Sequence, residues 1–460
     1  MVNKYAEFIR EKSVWQHGDG FDPELINPML FPFQEFMTRW ALQKGRAGIF
    51  ADCGMGKTAM QLAWADEIMK RTNKPVLITT PIAVGAQTIR EAGKFGVEAK
   101  RSRDGQMTSE VCVWVTNYQQ LHKFDPHKFG GFVGDESSAI KHFKSQTRNV
   151  VNEFVKPIRF RLLCTATAAP NDFWELGTSS EALGLLGFRD MITTIFKQET
   201  SKDHLGWGRT KYRFRGHAEE PFWAWVCSWA RSLRLPSDLG FSDDGFILPE
   251  LIENEYVVKS SKTRPGRLFQ MPGENMQDER AERRLSISER CDKAAEIAEA
   301  AGGRPVVLWC EQNDESAMLT EVVPGAVEVT GSMADDKKEE LLTAFGGGQI
   351  QRIVLKPKIG AWGLNWQHCS DVIDFPSHSY EQYYQKVRRC YRFGQKRAVT
   401  VSTICSEGEA GILASLKRKA SQADKMFSAI VSHMKDAMHL ETLDFYPETE
   451  EVPKWLSCGK

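Results

Sequence analysis

The chain has 460 residues, and since a single core rarely grows past ~250–300 residues, two or three domains are expected. Its formal net charge is zero, which excludes a protein coated in positive charge but leaves room for a basic track along one face. With 42% hydrophobic and 26% charged residues it has an ordinary soluble composition, and no apolar run approaches the ~18–20 residues needed to span a bilayer.

Residues 1–27 read as a short helix, YAEFIREKSVW, and a Gly/Asp/Pro lead-in. This start is too charged for a secretory signal, so a cytoplasmic protein is expected. From 28 to 177, short apolar segments (AGIFAD, PVLITTP, VCVWVT, GFVGDE, FRLLCTAT) alternate with helical stretches such as TAMQLAWADEIMKR. That alternation predicts a parallel sheet wrapped by helices. The pattern breaks over 178–290, which reads as a helical, aromatic-rich insert and a polar linker. It resumes over 291–440 with RPVVLWC, VEVTG, RIVLK, DVIDFP and VTVSTIC as strands, and closes on a helical stretch at about 409–440. Residues 441–460 form an acidic tail. The ten cysteines include no CxxC pair and several sit in apolar runs, so buried free thiols are expected rather than a zinc site.

The segment AGIFADCGMGKTAMQLAWA reads strand, loop, helix. In its loop, Gly54 and Gly56, on either side of Met55, let backbone N–H groups approach phosphate oxygens. Lys57 is expected to reach the β- and γ-phosphates of ATP and Thr58 to bind Mg²⁺ through its hydroxyl, with the following helix adding its positive end. The strict phosphate-loop pattern has glycine where this chain has Ala51.

The adjacent carboxylates Asp135 and Glu136 follow the apolar stretch FGGFVG. At a strand end they suit phosphoryl chemistry, Asp135 on Mg²⁺ and Glu136 on the attacking water. Late in the chain, QYYQKVRRCYRFGQKR puts Gln385, Arg389 and Arg392 at i, i+4 and i+7, one face of a helix. Arginines presented together stabilise charge on a transferring phosphoryl group, a contribution of roughly 10³–10⁵ in rate.

Within the insert, Arg213 and Arg215 stand among aromatics just before FWAWVCSWARSLR. The tryptophans of that run read as an amphipathic helix packing its own core. The two arginines are weighed evenly as contacts to a nucleic-acid backbone.

The motif order resembles superfamily-two helicases, and within them the Swi/Snf-type DNA translocases, most of all the compact versions carried by bacteriophages and prophages. The resemblance spans roughly residues 28–430. FPFQ resembles the adenine-reading element, with Gln34 as its glutamine. TTPIAVGAQTIREAGKF and VWVTNYQQL resemble two motifs that line the nucleic-acid track, which implies such contacts for Pro81, Thr116, Asn117 and Tyr118. GDESSAIKH resembles the DEAH-type box, departing from it at Ser137 and Ser138. LLCTATAAPND resembles the motif that couples nucleotide state to the track, implying that role for Thr165 and Thr167. GAWGLNWQHCSDVIDF resembles the fifth motif, implying Gly363 near the nucleotide and Asn365 near the track. QKVRRCYRFGQ resembles the sixth, which implies that Gln385 faces the nucleotide.

The fold implied is α/β: two tandem RecA-like lobes, parallel sheets flanked by helices, with a mainly helical aromatic-rich insert between them. The function implied is an ATP- and Mg²⁺-dependent motor moving along double-stranded DNA. A strand-separating helicase, RNA as the track, and an ATP-dependent switch or loader for a replication or recombination partner are the alternatives.

Overall fold

The computed structural model describes residues 20–24, 26–82, 84–170, 172–202, 208–260, 276–360 and 365–445. The expected N-terminal helix, most of the acidic tail and Gly363 lie outside the described residues.

Two all-parallel sheets organise the chain. The first has seven strands in the order β3-β4-β2-β5-β6-β1-β9: β1 (Arg46–Ala51), β2 (Val76–Thr80), β3 (Ala99–Arg101), β4 (Val113–Asn117), β5 (Gly131–Asp135), β6 (Phe160–Cys164) and β9 (Ala230–Leu233). An antiparallel hairpin, β7 (Phe196–Lys202) with β8 (Gly208–Phe214), stands apart from it. The second sheet runs β10-β15-β14-β11-β13-β12: β10 (Leu251–Val258), β11 (Val306–Trp309), β12 (Ala326–Val329), β13 (Arg352–Leu355), β14 (Asp371–Asp374) and β15 (Val399–Ser406). These are the two RecA-like lobes.

The central strands are buried on both faces because helices cover both, which is why they read as continuous apolar runs rather than alternating ones. Successive side chains still point to opposite faces. Phe50, Leu77, Phe132 and Leu163 fall in one core cluster, and their neighbours Ile49, Ile78, Val133 and Leu162 in another.

The insert contributes more strand than the sequence led us to expect. Helix α7 (Glu219–Trp229) ends at Trp229, and Ala230 turns extended at φ −129° and ψ 144°. The last part of FWAWVCSWARSLR, taken as helix, is instead the buried strand β9, which pairs with the otherwise open edge of β1. Likewise β10, outside the expected strands, closes the edge of the second sheet against β15. Trp223, Trp225 and Trp229 are core residues of the first lobe.

The long helix α14 (Ala410–Phe445) follows the second sheet in sequence but packs on the first lobe. Its Met426, Phe427 and Ile430 join the cluster that holds α7, and Asp424 pairs with Arg234 at 2.8 Å. Among the described residues nine cysteines are free, eight of them buried. Among the described residues no helix is long and apolar enough to cross a membrane.

Candidate functional site

Parallel strands put all their C-terminal ends on one edge, where the connecting loops can converge. In the first lobe β5, β6 and β1 are neighbours, so the segments that follow them, headed by Glu136, Thr165 and Asp52, meet there.

The loop after β1 turns through two left-handed glycines, Gly54 at φ 96° and Gly56 at φ 78°. Neither tolerates a side chain. A Cβ on Gly56 would stand 2.2 Å from Gln34 Nε2, and one on Gly54 would stand 2.8 Å from the backbone nitrogen of Phe393 in the second lobe. Helix α2 (Lys57–Thr72) starts directly after the loop. The Lys57 ammonium donates to the Ala51 carbonyl at 2.9 Å. Burial alone would lower its pKa, but Cys53, Glu136, Asp135 and Asp52 outweigh that and hold it charged.

Gln34 is buried, donates to the Met55 carbonyl at 3.1 Å, and accepts from the Phe31 N–H at 3.0 Å. It therefore braces the loop from behind. The Met55 side chain packs in the core and leaves only its backbone to the loop.

Asp135 ends β5 and accepts from Gln61 Nε2 at 2.7 Å. Burial and the neighbouring Glu136 push its carboxyl up to about 6. A buried carboxyl so raised, lining one cavity with Thr58, suits a divalent cation, whose charge would restore the ionised form. Glu136 sits in the left-handed region at φ 50° and ψ 55°. For a residue other than glycine this costs on the order of 1–2 kcal/mol, and such strain clusters at functional sites. Its carboxylate accepts from the Thr165 hydroxyl at 3.2 Å, and the Thr167 N–H donates to Thr165 Oγ1 at 3.0 Å. The buried hydroxyls of Ser137, Ser138 and Thr167 find no hydrogen-bond partner among the described residues.

From the second lobe come Arg389 and Arg392. The helix α13 (Tyr380–Val387) closes before them, so the expected single face is interrupted, although Arg389 still reaches back to Gln385. The turn that follows is tighter, with the Arg389 N–H on the Lys386 carbonyl and the Cys390 N–H on the Val387 carbonyl. The Tyr391 N–H returns to the same Val387 carbonyl at 2.9 Å, so the turn mixes i+3 and i+4 bonds and carries Arg392 past the end of the regular helix. Gln385 is fully buried instead, and its Oε1 accepts from Arg389 Nη2 at 2.9 Å. It orients an arginine rather than facing the cavity.

The two lobes enclose a cavity of about 100 Å³. The first lobe lines it with Gly54, Gly56, Lys57, Thr58, Asp135 and Glu136, and the second with Arg389 and Arg392. Arg392 is lowered to about 10 by burial and by the like charge of Arg389. Three cations facing one cavity form a receptor for a multiply charged anion.

The residues expected on the nucleic-acid track divide. The Tyr118 ring is buried and its hydroxyl donates to the Asp135 carbonyl at 2.8 Å, and the Thr116 side chain is buried too. Both side chains point inward where β4 runs into its covering turn, and Tyr118 braces the backbone of Asp135. Pro81 and Asn117 are half-buried, with Asn117 Oδ1 capping the next turn by accepting from the Gln120 N–H at 3.1 Å, while Asn365 is exposed. Arg213 and Arg215 are exposed on the hairpin. Arg213 pairs with Glu199 at 3.0 Å, and Arg215 donates to the Phe196 carbonyl at 2.7 Å.

The sequence reading missed several residues. Gln61, which bonds Asp135, and Gln87, which lines the cavity, lay inside quoted motifs but were not singled out by them. Asp52, Tyr384 and Arg388 lay inside quoted motifs but meet only across the lobes: Arg388 Nη2 stands 2.7 Å from Asp52 Oδ2, and the Tyr384 hydroxyl donates to Asp52 Oδ1.

Residues 28–170 match the type III restriction enzyme res subunit family, and residues 289–394 match the helicase conserved C-terminal domain. No curated protein matches the chain. Among solved structures, the chain is similar to a Sulfolobus solfataricus SWI2/SNF2 ATPase core in complex with dsDNA, at 18% identity and a TM-score of 0.41, over 89% of this chain and 96% of that one.

Proposed function

Because the chain belongs to the superfamily-two helicases, ATP-dependent enzymes that act on nucleic acid, and carries both of their conserved domains in order, we propose that it is a translocase on double-stranded DNA of the Swi/Snf type. One observation carries the reading: Lys57, Thr58, Asp135 and Glu136 share a cavity with Arg389 and Arg392 of the other lobe. A phosphoryl-transfer site split in this way works only when the lobes close, so each turnover is tied to a movement between them.

In this reading the loop N–H groups and Lys57 hold the β- and γ-phosphates of ATP. Thr58 and Asp135 would hold Mg²⁺, which when bound supplies positive charge to the phosphate oxygens. Glu136, aimed by Thr165, accepts a proton from the attacking water. Arg389 and Arg392 face the charge that spreads over the γ-phosphoryl oxygens. ATP and water become ADP and phosphate. The lobes grip backbone phosphates rather than base edges, so movement is independent of sequence. The sixth-motif ending Arg392-Phe393-Gly394-Gln395 supports the Swi/Snf type and hence duplex DNA.

The test is steady-state ATP hydrolysis without nucleic acid and with duplex DNA, single-stranded DNA or RNA, with Lys57→Ala and Glu136→Gln as controls. Strong stimulation by duplex DNA, lost in both variants, is expected. Stimulation by single strands alone would replace the translocase with a strand-separating helicase, and stimulation by RNA alone would change the track. No stimulation from folded protein would favour an ATP-dependent switch or loader.

A further inference from the structure

We infer that Asp52 and Arg388 form a positioning pair across the lobes, one that sets where the neighbouring Arg389 stands over the phosphate loop. The inference rests on the reading of the phosphate cavity proposed above.

Asp52 begins the loop after β1, two residues before Gly54. It is held at both ends: its N–H donates to the Leu233 carbonyl at 2.9 Å, and its Oδ1 accepts from the Cys53 N–H at 2.5 Å. Its carboxylate does not line the phosphate cavity. It lines a second cavity of about 260 Å³ at the lobe junction, together with Thr167, Arg234, Tyr384 and Arg388. There it meets the Arg388 guanidinium at 2.7 Å and the Tyr384 hydroxyl. The guanidinium lies 5.1 Å from the ring centres of both Tyr384 and Tyr391. The Arg388 and Asp52 side chains are 17% and 10% exposed, so solvent screens the pair only in part.

The geometry gives the pair a task. The segment carrying Arg389 and Arg392 must be brought against a loop that already bears Lys57, and these cations repel one another until an anion lies between them. Asp52 supplies opposite charge at the base of that same loop, and Arg388 is joined to Arg389 by one peptide bond. Attraction at the Asp52–Arg388 pair therefore offsets repulsion one residue away and fixes the spacing of the two halves of the site. A second tie at the junction, between Lys141 and Glu381, anchors the start of α13. It lies seven residues before Arg388 and leaves the turn itself unconstrained.

The experiment uses the full chain as Arg388→Asp, Asp52→Arg and the double exchange, with two readouts. The first is steady-state ATP hydrolysis with nucleic acid. The second is energy transfer between dyes on the two lobes, which needs no turnover. Close interfacial charge pairs couple strongly, so Arg388→Asp is expected to lower kcat roughly tenfold or more with KM changed by no more than about twofold, and to separate the lobes. The double exchange is expected to recover most of both effects, which a merely structural role would not predict. Arg388→Asp with unchanged kcat and unchanged lobe separation would overturn the pair, as would a double exchange no better than the worse single variant. If Arg388→Asp does not fold, Arg388→Lys and Tyr384→Phe carry the test, each expected to lower kcat by roughly threefold with KM held. No loss in either would also overturn it. Absence of turnover in the unaltered protein would count against the phosphate-cavity reading, while the dye measurement would still decide the pair.

Discussion

The Thr165 hydroxyl donates to Glu136 Oε2 at 3.2 Å, joining the end of β6 to the carboxylate that follows β5. Thr165 Oγ1 itself accepts from the Thr167 N–H at 3.0 Å, so the hydroxyl proton is directed at Glu136. Glu136 is thus aimed by a neighbouring strand while its own backbone is strained. Thr165→Val keeps the shape and removes the donor. A hydrogen bond to a charged group is worth roughly 1.5–3 kcal/mol, so kcat should fall ~10–100-fold. Steady-state kinetics checks this, and a rise in KM at constant kcat would move Thr165 to a binding role.

The two loop glycines should fail differently. Gly54→Ala drives a Cβ to 2.8 Å from the Phe393 nitrogen, across the lobes, whereas Gly56→Ala drives one to 2.2 Å from Gln34 Nε2 within the first lobe. Gly54→Ala is expected to retain nucleotide binding better than hydrolysis, and Gly56→Ala to lose binding itself. Fluorescent-nucleotide titration beside turnover separates the two. Equal loss of binding in both would show that the left-handed backbone, not the neighbour, decides.

Asp135 predicts a particular dependence on pH. Its carboxyl lies at about 6 in the folded protein against an ordinary 3.8, raised by burial and by Glu136. Folding therefore favours the protonated form. That stabilisation is complete below the unfolded value and is lost as pH rises through about 6. Without nucleotide, the melting temperature of the unaltered protein relative to Asp135→Asn should fall between pH 4 and 7, and the variant should be more stable at pH 7 by on the order of 1 kcal/mol. Hydrolysis should be lost in the variant at every pH. A constant melting difference across this range would remove the burial argument.

Arg213 and Arg215 stand exposed on the β7–β8 hairpin, so replacing both with alanine should weaken nucleic-acid binding and flatten its salt dependence. For every phosphate that an arginine no longer neutralises, the slope of log affinity against log salt should shrink by roughly 0.9 on duplex DNA. An unchanged slope would leave the hairpin as a structural element, its Arg213 occupied by Glu199.

The sequence by itself determined the two parallel sheets and the groups at their loop ends. Continuous apolar strands, a Gly-rich loop before a helix, and a carboxylate pair after a strand are local patterns, and the physics that makes them is local too. Asp135 and Glu136 could be named because they sit where β5 stops, and Lys57 and Thr58 because they open the helix after the Gly-rich loop. The turn at Arg389 was read as helix because spacing alone does not reveal where a helix closes. β9, only four residues long, and β10, at the edge of its sheet, were missed because such strands are stabilised by the neighbour they pair with more than by their own pattern. Tyr118 and Gln385 turned inward for a similar reason: their places are set by Asp135 and Arg389, which the fold brings to them. The Asp52–Arg388 pair is the extreme case, joining residues 336 positions apart, so only the docking of one lobe on the other decided it.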